Sequence, residues 1–566
     1  MVALSLAAMV AVGALFSRRV KSSSDLFAAG RQSPWWVSGL SAFMTLFSAG
    51  TFVVWGGIAF RMGAVAVSIL LCLGFGGLLA GTFLAAKWHA IGITSPGQFV
   101  LLRYGKPALY FYTCVLMLYR MVGSAVALYA LAVVVTALAP LPEGHFFRDP
   151  GTGNFSQLWA IAVFTGVVVL YTVVGGLWAV LMTDVLQFVI LTVAVLFVIP
   201  LLWTHVGGWE PMVAAWPAGF LNPSAGEFTW VFLGAWVVLH FFMIGADWAF
   251  IQRYLCVRSK QDARWAAWLL GALFLISPAF WMLPPMIYRA VNAAANPEQA
   301  YILACKLVLP PGMLGLMVAA MFSATASMVS SQINLFAGVV AQDVLGRRGQ
   351  TPADEARRVR DGRLATFFLG AFLTGLALLV PFLGGAENVV LSVNSLLIGP
   401  LLIPMVWGLF RPVIGRNALW WAILLPFALG CFVKFGLVAG AFDGVAGLGA
   451  LGEWLRPRFR TAEVLVGLVA PVAILLIAEI RSRGIDPGWD RIQSLPPPFA
   501  APERIIAATD LMPLRVVGWM LGASAVVILM LLPWAGGQKS EMMGFGIILL
   551  ILAGATVLPR RARLGQ

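Results

Sequence analysis

Charge is what this 566-residue chain has least of: Asp, Glu, Lys and Arg together make up 11% of it. Soluble domains carry about 25% charged residues. With 61% hydrophobic residues and a mean hydropathy of +0.92, a water-facing globule is excluded and a polytopic helical membrane protein is implied. The five cysteines are scattered without a CxxC pair, and the four histidines show no metal-ligand spacing. That argues against a disulfide framework and a zinc site. The alternating runs of a membrane barrel are missing too. No nucleophile–base or metal constellation is visible, so the chain reads as no enzyme. The longest polar stretch, 481–511, contains GIDPGWD and a PPP run, too little to separate soluble domains.

What is present is a succession of about fifteen apolar segments, from 1–17 and 35–60 through 387–410 and 416–441 to 541–559. The net charge of +14 belongs to the loops between them. With the N-terminus outside, most Lys and Arg fall in inside loops, such as Arg18, Arg19 and Lys21, or Arg347, Arg348, Arg357, Arg358 and Arg360. This is the positive-inside pattern, so the basic balance reports topology and no nucleic-acid partner. It places the C-terminal tail, with Arg560, Arg561 and Arg563, in the cytoplasm and the chain in the plasma (inner) membrane. Residues 1–17 lack a basic n-region and read as a retained span.

Several residues are costly at membrane depth. Asp184 stands between two apolar segments, either as an interfacial cap with Thr183 or as part of an ion path. Arg120, inside LYRMVGSAVALY, needs an internal carboxylate or an anionic substrate. Asp247 has Arg253 nearby as a structural partner, and Lys434 snorkels or pairs locally. Segment 35–60 carries Ser48, Ala49, Gly50 and Thr51 at its middle, and segment 387–410 carries Asn394, Ser395, Gly399, Pro400 and Pro404. Small residues pack helices closely, and they also let a helix unwind and expose carbonyls.

The stretch YTVVGGLWAVLMTDVLQ at 171–187 resembles the signature of the sodium:solute symporter family, relatives of the sodium/glucose and sodium/proline carriers. Further matching pieces follow in order: SSSDLFAAGRQSPWWVSGLSAF at 22–43, IQRYLCVRSKQDA at 251–263, LPPGMLGLMVAAMFSATASMVSSQIN at 309–334, Asp343, and WGLFRP at 407–412. The resemblance covers about residues 15–440. It implies an all-α, leucine-transporter-like fold with a five-plus-five inverted repeat and extra N- and C-terminal helices. A leading helix and cytoplasmic loop would take 1–34, the first repeat 35–203 and the second 204–410, with its helices in 228–410. Accessory helices would take 411–566.

The resemblance also implies a sodium site between repeat helices 1 and 8. It would use the carbonyls of Met44, Phe47 and Ala324 and the hydroxyl of Ser327. A second hydroxyl position of the family holds Met328, a poor ligand for a hard ion that wants about six oxygens. Asn334 and Asp343 fix that register, and Thr325 or Thr45 lies close enough to stand in. Asp184 matches the acidic residue beneath the site, which couples Na⁺ or carries H⁺ instead.

The solute site implied by the same register comprises Thr51, Tyr119, Arg120, His240, Met243 and Asn394. His240 and Met243 replace a sugar-binding asparagine and a gating tyrosine, which argues against a sugar. His240 has a second reading as a core histidine bonded to a carbonyl. The expected function is cation-coupled symport of a small polar solute by alternating access, in a lipid bilayer. The alternatives are an ion-independent facilitator and a transporter-like solute sensor. In this superfamily sensors are fused to signalling domains, and no kinase or receiver pattern occurs in these 566 residues. Oligomeric state is not legible.

Overall fold

The computed structural model describes residues 31, 33–93, 95–172, 177–339, 352–445, 447–482, 484–495, 512–530, 532 and 539–557. Among them the structure is helical, with no named strand and only isolated bridges such as Ser33 with Val257. Nine described helices are long and apolar enough to cross a membrane, or ten if the bent pair Trp230–Ala246 and Trp248–Leu255 is one span. The expected span at 1–17, residues 173–176 of the signature, Asp343 and the C-terminal arginines lie outside the described residues, as does the side chain of Asn334.

The expected segment 35–60 is two helices, not one. α1 (Trp35–Met44) stops, residues 45–48 turn, and the chain resumes through a π-helical turn at Thr51–Trp55 into α2 (Gly56–Met62). Gly63, at φ +60°, reverses the chain into α3 (Ala64–Ala80). A Cβ there would lie 2.0 Å from the Phe220 carbonyl oxygen, so only glycine fits. α4 (Ala86–Ala90) and α5 (Pro96–Tyr104) lead to the long α6 (Lys106–Thr136), α7 (Gln157–Thr172), α8 (Leu177–Val206) and the short α9 (Trp209–Ala215).

The second half also begins with a broken helix. α10 (Trp230–Ala246) starts where the Thr229 hydroxyl accepts from the Phe232 N–H, and it ends at Asp247. The Asp247 carboxylate accepts from the Ala249 N–H and so caps α11 (Trp248–Leu255), which leaves α10 at 52°. Then follow α12 (Lys260–Trp281), α13 (Leu283–Val291), α14 (Ala300–Val308), α15 (Pro311–Val339), α16 (Pro352–Leu379) and α17 (Gly385–Phe410). The expected segment 300–345 is therefore α14 plus α15, because Pro310 and Pro311 interrupt it.

The remaining helices are α18 (Arg416–Cys431), α19 (Leu448–Leu455), α20 (Phe459–Arg481), α21 (Pro487–Gln493), α22 (Met512–Met530) and α23 (Lys539–Val557). α20 packs on α17 through facing glycines: a Cβ on Gly399 would sit 1.9 Å from the Gly467 carbonyl oxygen. Of the two readings of Lys434, snorkelling or local pairing, the structure shows pairing. Lys434 forms an ion pair at 3.1 Å with Glu463, whose side chain is fully buried, and it donates to Ser392 on α17. Arg460 reaches Glu463 at 3.8 Å and Glu227 at 3.6 Å and donates to Asn388, so this charge network braces one face of α17.

Candidate functional site

The interruption after α1 leaves backbone groups that helix geometry no longer pairs, and hydroxyls take them up. Thr325 on α15 accepts from the Ala49 N–H at 3.0 Å, Ser48 Oγ from the Gly50 N–H at 3.1 Å, and Thr51 Oγ1 from the Ser48 N–H at 3.3 Å. The Met44 carbonyl accepts from the Phe47 N–H at 2.9 Å, and one of its lone pairs remains. Thr45 donates its hydroxyl proton to the Ser41 carbonyl, and Thr325 donates to that of Met321. Both hydroxyls named as stand-ins beside Met328 are thus already bonded to backbone, with acceptor capacity left over.

Asp184 sits on α8, 5% exposed, at the junction of three helices. Its Oδ2 accepts from Ser41 on α1 at 2.7 Å and its Oδ1 from Ser327 on α15 at 3.2 Å. This is no interfacial cap. Because the Ser327 proton points to Asp184, the lone pairs of that hydroxyl are free for another partner. One helical turn on, Gln187 donates to Ser323 at 2.7 Å and extends the seam between α8 and α15. Ser330 and Ser331 both donate to the Ser327 carbonyl. Among the described residues no group of three His, Cys, Asp or Glu side chains gathers as for a polydentate metal centre. Oxygens with a single formal negative charge suit a monovalent cation.

Six residues expected at a solute site line one cavity of about 150 Å³: Thr51, Tyr119, Arg120, His240, Met243 and Asn394. They come from the broken first helix, α6, α10 and α17. Tyr119 ties the wall together, donating to Asn394 Oδ1 at 3.2 Å and approaching the Met243 sulfur at 3.8 Å. His240 Nδ1 lies 2.8 Å from the Trp236 carbonyl. A carbonyl only accepts, so that nitrogen carries the proton and Nε2 is left as an acceptor. His240 is bonded to a carbonyl, as its second reading has it, and it also lines the cavity. Thr45 and Met328 line the same cavity, so the thioether expected at a hydroxyl position faces this space.

Arg120 finds its counter-ion in Asp247, at the break between α10 and α11. The sequence reading paired Asp247 with Arg253. That pairing is corrected here: Arg253 Nη1 donates to the Ala249 carbonyl at 3.0 Å instead. Sequence proximity favoured Arg253, whereas the fold brings Arg120 across from α6, and burial of a lone guanidinium selects the nearer carboxylate. The guanidinium also stacks near Tyr119 and Phe250, at 5.6 and 6.0 Å from the ring centres. Ser41 and Gln332 were missed by the sequence reading. Gln332 lines both the main cavity and a smaller one of about 10 Å³ beside Asp247 and Trp248. Its only signal was a position one turn past Ser327 and Met328 on the same helix.

Comparison with known proteins identifies the family and the fold. Residues 26–424 match the model of the sodium:solute symporter family. The sodium/sialic acid symporter NanT of Aliivibrio fischeri is 26% identical over 497 residues, covering 83% of this chain and 90% of that protein. Human sodium-coupled monocarboxylate transporter 2 is 25% identical over 451 residues, covering 76% of this chain and 69% of that protein. The substrate-bound, outward-open structure of a Na⁺-coupled sialic acid symporter superposes with a TM-score of 0.61 at 22% identity. It covers 83% of this chain and 97% of that one, and so shares its fold. The chain belongs to the sodium:solute symporter family.

Proposed function

We propose that this chain carries a small carboxylate-bearing solute across the membrane by sodium-driven symport. The observation that supports this most is a fixed positive charge, Arg120, on the wall of a confined cavity lined otherwise by neutral side chains. An apolar cavity of 150 Å³ in another protein holds benzene, so this one suits about six heavy atoms, the size of a short monocarboxylate. Arg120 meets the carboxylate with guanidinium donors beyond the Nη2 given to Asp247, the Asn394 amide N–H donates to a keto oxygen, and His240 Nε2 and the Tyr119 oxygen accept from a solute hydroxyl such as that of lactate. Two relatives are named for acids, sialic acid and monocarboxylates, and both for sodium.

Sodium takes the carbonyls of Met44, Phe47 and Ala324 and the free lone pairs of Ser327, with Asp184 beneath supplying the counter-charge. The relatives' names speak for sodium rather than H⁺. The two broken helices, α1–α2 and α10–α11, open corresponding halves of an inverted repeat, 35–203 and 204–410, and rock around the cavity in alternating access. The N-terminus lies outside and the C-terminus in the cytoplasm, an orientation that the distribution of basic loops supports.

The test is uptake of radiolabelled pyruvate into proteoliposomes under an inward gradient of NaCl or choline chloride. Accumulation in sodium alone, competed by propionate and lactate, is expected. Met328 in place of a hydroxyl gives one specific reason to consider a facilitator, which would show pyruvate counterflow equally in both salts. Absence of pyruvate flux in either salt overturns the carboxylate reading.

A further inference from the structure

Asp247 meets Arg120 with one oxygen. Its Oδ1 receives the guanidinium and the Ala249 N–H, while its Oδ2 is buried without a hydrogen-bond partner among the described residues. Two more atoms share that condition: the indole Nε1 of Trp248 and Oε1 of Gln332. None of these three residues is more than 6% exposed. All three line the cavity of about 10 Å³ beside the solute cavity, together with Arg120 and apolar groups such as Leu116 and Phe336. One protein donor and two protein acceptors therefore share one small space, and each is costly to leave unpaired.

We propose that this cavity is a binding site for a single water molecule. Trp248 donates its indole N–H to the water oxygen, and the water donates its two protons to Asp247 Oδ2 and Gln332 Oε1. That makes about three hydrogen bonds, the usual complement of a buried water, in a space of about one water's size. The balance of donors and acceptors decides against other occupants. A hard cation wants about six oxygens and no N–H, and here it would also stand against the Arg120 guanidinium. A dry cavity belongs to an apolar lining, which this is not. The site does not depend on which solute the protein carries. For Arg120 it means that neither oxygen of its counter-ion is left bare in the bilayer interior. Gln332 also lines the solute cavity and stands on α15, whereas Asp247 lies at the 52° break between α10 and α11. The water thus bridges that break to α15, one side chain away from the solute.

The direct test is cryo-electron microscopy of the unaltered protein in NaCl and in choline chloride, at a resolution that shows ordered water. One density within hydrogen-bond distance of Asp247 Oδ2, Trp248 Nε1 and Gln332 Oε1 is expected in both salts. A density present in sodium and absent in choline would make the occupant a cation, and no density in either salt would make the cavity dry. Both results overturn the proposal. Melting temperatures in choline chloride supply a second test. Trp248→Phe and Gln332→Met each remove one partner of the water, and each is expected to melt below the unaltered protein. Because one water serves both side chains, the double variant should fall by clearly less than the two single shifts added together. Shifts that simply add would mean that Trp248 and Gln332 have separate partners, and would overturn the proposal. A single variant that melts normally would do the same.

Discussion

Asp184 and Ser327 stand 143 positions apart in the chain and meet at 3.2 Å, carboxylate to hydroxyl, in the middle of the helical bundle. The same carboxylate receives Ser41, so one acidic side chain joins α1, α8 and α15. Asp184→Asn keeps the shape and a polar group but removes the charge. It is expected to lower sodium-driven uptake by at least about tenfold, some 1.4 kcal/mol of coupling. The sodium-induced rise in melting temperature should vanish while the helical circular dichroism spectrum is retained. Normal uptake would deny Asp184 a coupling role.

Met328 faces the cavity at the position where the family resemblance implies a hydroxyl. Met328→Ser returns one oxygen to the cation's surroundings, worth about 1 kcal/mol, or roughly fivefold in affinity. The sodium concentration for half-maximal uptake should fall by that factor. An unchanged sodium titration would mean that the ion takes its oxygens elsewhere.

The Ser41 hydroxyl donates to Asp184 at 2.7 Å. Ser41→Ala leaves one oxygen of a buried carboxylate without its donor, a loss of about 1–3 kcal/mol. A lower melting temperature in choline is expected, together with a smaller deficit in saturating sodium, because a bound cation replaces the missing donor. Equal deficits in both salts would place the cation away from Asp184.

Lys434 reports on the accessory helices. Its partner Glu463 is fully buried, and removal of one member of a buried ion pair costs about 3–5 kcal/mol. Lys434 is 22% exposed, so the expectation for Lys434→Met lies at the lower end of that range. The melting temperature should drop and the sodium-induced shift should persist. A variant that melts normally would show that Arg460 alone satisfies Glu463.

The class of fold was legible because hydropathy and basic-loop bias depend only on local composition. The first break was legible too, from Ser48, Gly50 and Thr51, and the structure puts it at 45–48, with Ser48 inside it and Gly50 and Thr51 just past it. The hydroxyls of Ser48 and Thr51 take up the N–H groups of Gly50 and Ser48 that the interruption leaves unpaired. The residues lining the cavity were named from a family register, and nothing in their spacing alone would gather Tyr119, His240 and Asn394. What local reading could not supply was pairing across the fold. Arg120 and Asp247 are 127 positions apart, and Ser41 carries no pattern that distinguishes it from Ser38, three residues earlier. The partner of a buried charge is decided by which helices cross, and that information is spread over the whole chain.

The cavity's modest size has a consequence for selectivity. A space of about 150 Å³ admits a short acid but not its hydration shell, so each solute must shed water before the Arg120 guanidinium and the Asn394 amide N–H can replace it. Discrimination among acids of similar length should then follow the ease with which each gives up its water. A weakly hydrated anion would outcompete a strongly hydrated one even where both fit.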